Sequence, residues 1–474
     1  SPKLAQYTQT DLTTLRNALN DYRKHFDRFK HYDTLLLSDM AFWNPAELIG
    51  DRPTSLAYST FYKIIMSGAW NEGIAKLGYP LLENRSSLLL AVLNKPYINV
   101  NLAIEALTPE SIPPTIKTKL SKHYINKLIN NPHLHDKIEF EIKLSIYNFS
   151  TNRYIAEIAS LSKEDAEILK KELIEFSKKL FSSWESEYEK SLILIGELEK
   201  YNAYARGMNI KQKSIKELID IASESINNCT ELGAIPFSTV ARMAFISTSL
   251  LKSMEAENLL TSDEVTKVQN SVKTVASDIS EAILSLSMGK MNKAKFISKY
   301  GHLRAGTYNI SEPNYADLVD SFIYSGVDKN GICDRVGKDL KTKLSFIMSN
   351  FILPLTGEEF LKIYNDSASS RERYKFVYTN TIDFIFEVIS EIGRRFGLQR
   401  SELEHIDIDD ILNKDSLYAQ KLKKIIAKNI KNRMINSKAL LPPLIYSESD
   451  IYLVQYHENY PNFIGCKNTD GESV

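Results

Sequence analysis

The sequence predicts a mostly α protein: a multi-helical, bundle-like domain in two or three packed lobes, with a small extended or β element near the C-terminus. Three observations predict it. Apolar residues recur at helical spacing over most of the chain beyond residue 115, and several of these runs open with a Ser or Thr followed three residues later by Glu. Glycine is scarce, at 18 of 474 residues, which leaves few for the phosphate loops and tight strand-to-helix turns of nucleotide-binding α/β domains. Hydrophobic residues at 43% and charged residues at 25% are ordinary for a globular chain, while the length argues for two to four packed subdomains rather than one core. Helix should take roughly 60 to 65% of the chain, against the usual third.

The elements follow in order. Residues 9 to 30 set Leu12, Leu15, Leu19, Tyr22 and Phe26 on one helical stripe. Asn44-Pro45 opens a short helix ended by Gly50, Pro53 pushes Arg52 out of the α region, and a further helix runs from Leu56 to Ile65. Residues 88 to 107 carry Val92, Ile98, Val100 and Ile104 with a period too irregular to choose strand over buried loop. The proline-rich stretch from Thr108 to Pro114 is the first boundary. Helices are then expected at 115–130, 133–146, 162–203, 213–228, 237–258, 262–288, 293–300, 335–353, 356–364, 369–396 and 414–436. Thr261 with Glu264 caps the sixth of these, Ser401 with Glu404 caps a short helix, and Gly397 ends the one before it. Beyond Leu441, two prolines precede an alternating segment, Asp450 to Tyr456, that reads as one strand. It either pairs with the stretch near 88 to 107 or waits for a partner outside the chain. The lobes are therefore expected at 1–110, 111–290 and 291–440, with 441–474 an extended linker.

Charge and cysteine content exclude several classes. The 59 basic residues balance 59 acidic ones, so a strongly polybasic nucleic-acid binder is excluded. Cys229, Cys333 and Cys466 are too widely spaced for a zinc knuckle or a disulfide framework, which fits a reducing cytosol. The opening segment lacks the apolar core of a signal peptide, and the most apolar run, Ala244 to Leu251, is broken by Ser247, Thr248 and Ser249. A cytoplasmic protein with no membrane or nucleic-acid partner is expected. Ser1 and the end at Val474 read as cuts in something longer.

Four segments carry candidate chemistry. In the run from Phe296 to Ile310, a helix stops at Gly301, and His302 and Arg304 occupy a turn punctuated by Gly306. Histidine there can transfer a proton and arginine can grip a carboxylate or phosphate, but both also fit a helix C-cap. Downstream, Asn380, Asp383, Glu387, Glu391 and Arg394 share one helical face, either a polar cleft wall or a solvated surface. His133 and His135 stand two apart, the wrong separation for a helical metal pair, and Asp136, Glu139 and Glu141 simply suit a helix start. Trp43, Asn44, Glu47 and Arg52 form a compact polar-aromatic cluster, local packing or a cleft wall. The basic face from Lys421 to Lys438 sits after an acidic run and reads as solvated.

Several of these segments resemble the middle region of phosphoenolpyruvate-utilising enzymes, the phosphoenolpyruvate synthase and pyruvate phosphate dikinase-like proteins, including rifampin phosphotransferase. The resemblance rests on SDMAFWNPAELIGDRP (Ser38 to Pro53), NPHLHDKIEFE (Asn131 to Glu141), FISKYGHLRAGTYNI (Phe296 to Ile310), RERYKFVYTNTIDFIFEVISEIGRRFGL (Arg371 to Leu398), and LPPLIYSESDIYL followed by PNFIG. In that family an ATP-grasp domain phosphorylates a histidine on a swivelling domain, which carries the group to an acceptor. Neither domain is visible here, and no histidine stands in the glycine-rich setting of the phosphohistidine. The resemblance therefore implies a central, acceptor-side domain, inactive alone, whose parent uses ATP and Mg and whose partners are the ATP-grasp and phosphohistidine domains and a small-molecule acceptor. It implies His302 as a candidate catalytic group, not the phosphohistidine, in a cleft with Arg304, Tyr308, Trp43, Arg52, Arg373, Asn380, Asp383 and Glu387 binding substrate. Ala305 and Asn309 depart from the proline and aspartate that the resemblance leads one to expect there. The competing expectation is a non-catalytic structural or protein-interaction module.

Overall fold

Three long helices organise the chain. They are Lys163–Arg206, Ile235–Ala256 and Gly357–Arg395, and the last two make the most extensive helix–helix contact among the described residues. The structure is a computed structural model that describes residues 9–30, 32–39, 41, 46–273, 275–322, 336–413, 419–436 and 441–452. Each long helix has a local reason to start or to pack. Ser162 and Asp165 cap one reciprocally, as Thr356 and Glu359 cap another, satisfying backbone N–H groups that the first turn leaves open. Between them, Leu169, Leu173, Leu180, Trp184, Ile195 and Leu198 bury one stripe of the first helix. Ile215–Asn228 leads through a π turn, Cys229–Ala234, into Ile235–Ala256. This stretch is long and apolar enough to cross a membrane by length and composition, but 78% of its apolar window is buried inside the fold.

The fold is mostly helical and multi-lobed. One large core runs from Ala18 to Ile451, and a small second core of Ala282, Leu286, Phe296, Tyr300 and Val319 holds residues 275–322 together. Phe376 of the long C-terminal helix packs against both.

A small open sheet completes the architecture. β1 (Leu37–Ser38), β2 (Leu89–Val92), β3 (Lys95–Asn99) and β4 (Leu444–Ile445) lie in the order β2-β3-β1-β4, all antiparallel. The undecided stretch near residue 88 is thus a hairpin followed by the helix Val100–Ala106. Its turn needs positive φ at Leu93 and Asn94, and the Leu93 N–H donates to Asp21 Oδ2 (3.1 Å). The C-terminal segment pairs with β1 rather than directly with the hairpin, and through residues 444–445 rather than the expected 450–456. Glu448–Asp450 is a 3-10 turn, and residues 453–456 lie outside the described residues.

Four helix boundaries are corrected. The expected break near residue 365 is absent, because Ser367 and Ser370 are small enough to be buried between helices, and Ser369 returns its hydroxyl to the Asn365 carbonyl (2.7 Å). The expected 262–288 helix ends at Asn270, where Ser271 donates to the Val268 carbonyl (2.7 Å), and resumes at Val275–Ser287. The 133–146 helix is instead a 3-10 turn, Pro132–Leu134, and a π turn, Ile138–Ile142, because Glu139 and Lys143 are drawn inward to buried partners. The short helix Arg400–Leu403 is capped by Gln399 and Glu402, not by Ser401 and Glu404.

Candidate functional site

The Gly357–Arg395 helix borders two cavities, one on each side of residue 379. Spacings of four and three put Arg371, Lys375 and Tyr378 on the face of the first, and Asn380, Asp383 and Glu387 on the face of the second.

The first cavity has a volume of about 300 Å³. Trp70 and Ile74 come from the helix Ala69–Ala75, and Ile138, Glu139 and Phe140 from the π turn. The helix Ile235–Ala256 adds Phe237, Ser238, Ala241, Arg242 and Phe245 from one face. The wall depends on Gly73: a Cβ there would stand 2.5 Å from the Ile235 carbonyl oxygen and from Ser238 Cβ, so only glycine lets the two helices approach this closely. Glu47 and Asp136 bring carboxylates to the rim, and Glu47 pairs with Lys375. Arg371 lies beside Glu372 (3.2 Å) and 5.8 Å from the Phe245 ring centroid.

At the back of this cavity Arg242 Nη1 donates to Glu139 Oε1 at 2.6 Å, with the two side chains only 3% and 7% exposed. Arg242 Nη2 also donates to the Tyr79 hydroxyl (3.1 Å). Burial pushes the Glu139 carboxyl above its ordinary range, and Arg242 and Lys143 partly offset the push. Three fully buried atoms of the lining residues keep no hydrogen-bond partner: Glu139 Oε2, Arg242 Nε and Tyr378 Oη. Such groups are costly to leave unsatisfied in a dry interior.

The second cavity, about 250 Å³, lies between the loop after Lys293–Tyr300 and the end of Lys163–Arg206. Asp383 is its hub. Its Oδ1 accepts from Arg304 Nη1 (2.6 Å) and Asn314 Nδ2 (3.3 Å), and its Oδ2 accepts from Arg206 Nη2 (2.8 Å). Arg206 also holds Asn380 Oδ1 and Glu387 Oε1. His302 donates its Nε2–H to the Phe376 carbonyl oxygen (3.0 Å) and lies edge-on to the Phe376 ring. A carbonyl only accepts, so that nitrogen carries the proton. Burial lowers the His302 pKa to about 4, although Asp383 pulls the other way, so the ring is neutral near pH 7.

The structure brings His302, Asn380, Asp383 and Glu387 to one cavity wall. Arg304 is outside that lining, a buried counter-charge: its side chain is 2% exposed and held by Asp383, so its guanidinium is not an open anion clamp. Tyr308 packs under that guanidinium, 5.8 Å from its ring centroid, and its backbone N–H ties the loop to the Leu48 carbonyl (2.7 Å). Burial raises its hydroxyl pKa to about 12. Arg52 stands outside both linings; its carbonyl and that of Pro53 receive Arg433. Arg373 turns to the surface and pairs with Glu199. Trp43 and Asn44 lie outside the described residues.

The first cavity escaped the sequence reading. Glu139 reads as a helix-start acid, and Tyr378 as one aromatic among many. One signal was available: Arg242 is the single charge between Ile235 and Leu251, and an isolated charge in an apolar helix demands a buried partner. Among the described residues, no group of three or more His, Cys, Asp or Glu side chains is arranged to hold a metal. No protein-family model matches the chain, and no curated protein matches it either.

Proposed function

We propose that the chain is the central helical, acceptor-binding domain of a phosphoenolpyruvate synthase-like phosphotransferase, and that the larger cavity receives the small-molecule phosphoryl acceptor. One observation carries this reading: an aromatic-walled cavity of about 300 Å³ has Arg371 and Lys375 on one wall and Asp136, Glu139 and Arg242 on the others. That combination of apolar walls with a few fixed polar groups suits a small organic molecule. A guanidinium and an ammonium one helical turn apart suit the phosphate that arrives on it. The buried His302, Arg304 and Asp383 lock fixes the loop beside the Gly357–Arg395 helix and thereby the face that carries those two cations.

On this reading ATP and Mg are handled by an ATP-grasp partner, and a mobile phosphohistidine domain delivers the group in the cytoplasm. The residues described here offer no metal site of their own, and the chain alone transfers nothing. The test mixes the purified chain with separately produced ATP-grasp and phosphohistidine domains of a phosphoenolpyruvate synthase-like enzyme, labelled ATP and a panel of small hydroxylated acceptors. Label should reach an acceptor only when all three proteins are present. Acid-labile label on the chain itself, or acceptor labelling that ignores the chain, contradicts the proposal.

A further inference from the structure

Away from both cavities, we propose that the helix Ala419–Asn436 seats the protein on an anionic lipid surface. The helix carries five lysines and Arg433 and no acid. Three rows run along it, each set by spacings of three and four. The first, Leu422, Ile426, Asn429 and Arg433, faces the protein. Leu422 and Ile426 are buried, Asn429 Nδ2 donates to the His405 carbonyl (2.8 Å), and Arg433 donates to the carbonyls of Pro53 (2.8 Å) and Arg52 (3.1 Å). The second, Lys421, Lys424, Lys428 and Lys431, is exposed and spans about 15 Å. The third, Lys423, Ala427, Ile430 and Met434, is exposed beside it, with Met434 68% open. The acidic run that precedes the helix in sequence is engaged elsewhere. Glu402 accepts from the Gln399 N–H (2.8 Å), Glu404 from Asn309 (3.1 Å) and Asp407 from the Asp409 N–H (3.0 Å), and Asp409 pairs with Lys63. Among the described residues none of the five lysines has an ion-pair partner, and Lys438 lies outside those residues. A row of unanswered cations beside an apolar row is complementary to an anionic bilayer: the ammonium groups meet headgroups while Ile430 and Met434 enter the acyl boundary. Lysine suits that role, because a moving headgroup asks for a point charge rather than a fixed fork. A nucleic-acid backbone would use the lysines and leave Ile430 and Met434 against water.

The experiment sediments the whole chain with vesicles of phosphatidylcholine alone and of phosphatidylcholine with about 30% phosphatidylglycerol, in about 0.1 M salt. Binding to the anionic vesicles should be at least about tenfold tighter, and about 0.5 M salt should remove most of it. Lys424→Gln/Lys428→Gln/Lys431→Gln should weaken it about 100-fold, at about fivefold per lysine. Ile430→Ser/Met434→Ser should weaken it about tenfold. Every substituted side chain is exposed, so both variants should keep the native circular dichroism. Equal binding to the two kinds of vesicle, or binding to neither, overturns the proposal. So does binding to anionic vesicles that either folded variant leaves unchanged. Binding to an oligouridylate of about 20 nucleotides but to neither vesicle assigns the face to nucleic acid and overturns the proposal too.

Discussion

Replacing Asp383 by Asn tests whether the loop from Gly301 to Tyr308 is held by buried charge. The side chains of Asp383 and Arg304 are each 2% exposed and 2.6 Å apart, so water screens neither. The substitution leaves the Arg304 guanidinium buried with no compensating charge; Arg206 is less affected, since it keeps Asn380 and Glu387 and is 29% exposed. Breaking a buried pair by removing one partner costs about 3 to 5 kcal/mol. Removing both charges should cost much less, because a buried pair replaced by apolar groups of similar volume is often near neutral. Urea unfolding followed by circular dichroism supplies the numbers for Asp383→Asn, Arg304→Met and the Arg304→Met/Asp383→Leu double variant. The double variant should recover at least half of the loss caused by Asp383→Asn. If Asp383→Asn costs less than about 1 kcal/mol, in the range of an exposed pair, the argument from burial is wrong.

Four further predictions rest on other parts of the structure. His302 has a folded pKa near 4, below its unfolded value, so the folded state binds fewer protons between about pH 6.5 and pH 4. Its contribution, about 3 kcal/mol, is present above pH 6.5 and lost as the pH falls toward 4; His302→Gln should flatten that part of the stability profile, and an unchanged profile would refute the burial argument. Gly73→Ala should cost about 1 to 3 kcal/mol by forcing the Ala69–Ala75 helix off Ile235–Ala256, measured by urea unfolding, and a neutral result would contradict the close approach. Arg373→Ala, which removes a surface pair with Glu199, should change stability by no more than about 0.5 kcal/mol, whereas Arg371→Ala should weaken binding of 2-naphthyl phosphate about tenfold in calorimetry.

Local signals in the sequence were reliable where local energetics decide. The caps at Thr261 and Glu264 and the stop at Gly397 with φ of +68° are present; of the expected inward stripe, Ile385, Val388, Ile389 and Ile392 are buried and Phe396 is half-buried. The sequence also placed Asn380, Asp383 and Glu387 on one face, and the structure sets that face beside His302. Where tertiary contacts decide, local signals failed. Residues 133–146 have the composition of a helix, yet Glu139 and Lys143 satisfy Arg242 and the Leu107 carbonyl instead. The polar run from Asn365 to Ser370 reads as a break, yet it is a place where small side chains let helices touch. The larger cavity draws on five segments separated in sequence, so no spacing rule could assemble it; only the isolated charge of Arg242 pointed inward.

The most direct test of the acceptor-site account is to fill the larger cavity and measure phosphoryl transfer. Ala241 lines that cavity, and Ala241→Phe projects a ring into it, while Ala316→Phe does the same in the smaller cavity beside His302. Both variants, checked for native circular dichroism, are mixed with the ATP-grasp and phosphohistidine domains, labelled ATP and an acceptor that the wild-type mixture labels. The account predicts that Ala241→Phe abolishes acceptor labelling and that Ala316→Phe retains it. Labelling that survives Ala241→Phe and disappears with Ala316→Phe would contradict the account and move the acceptor to the His302 side.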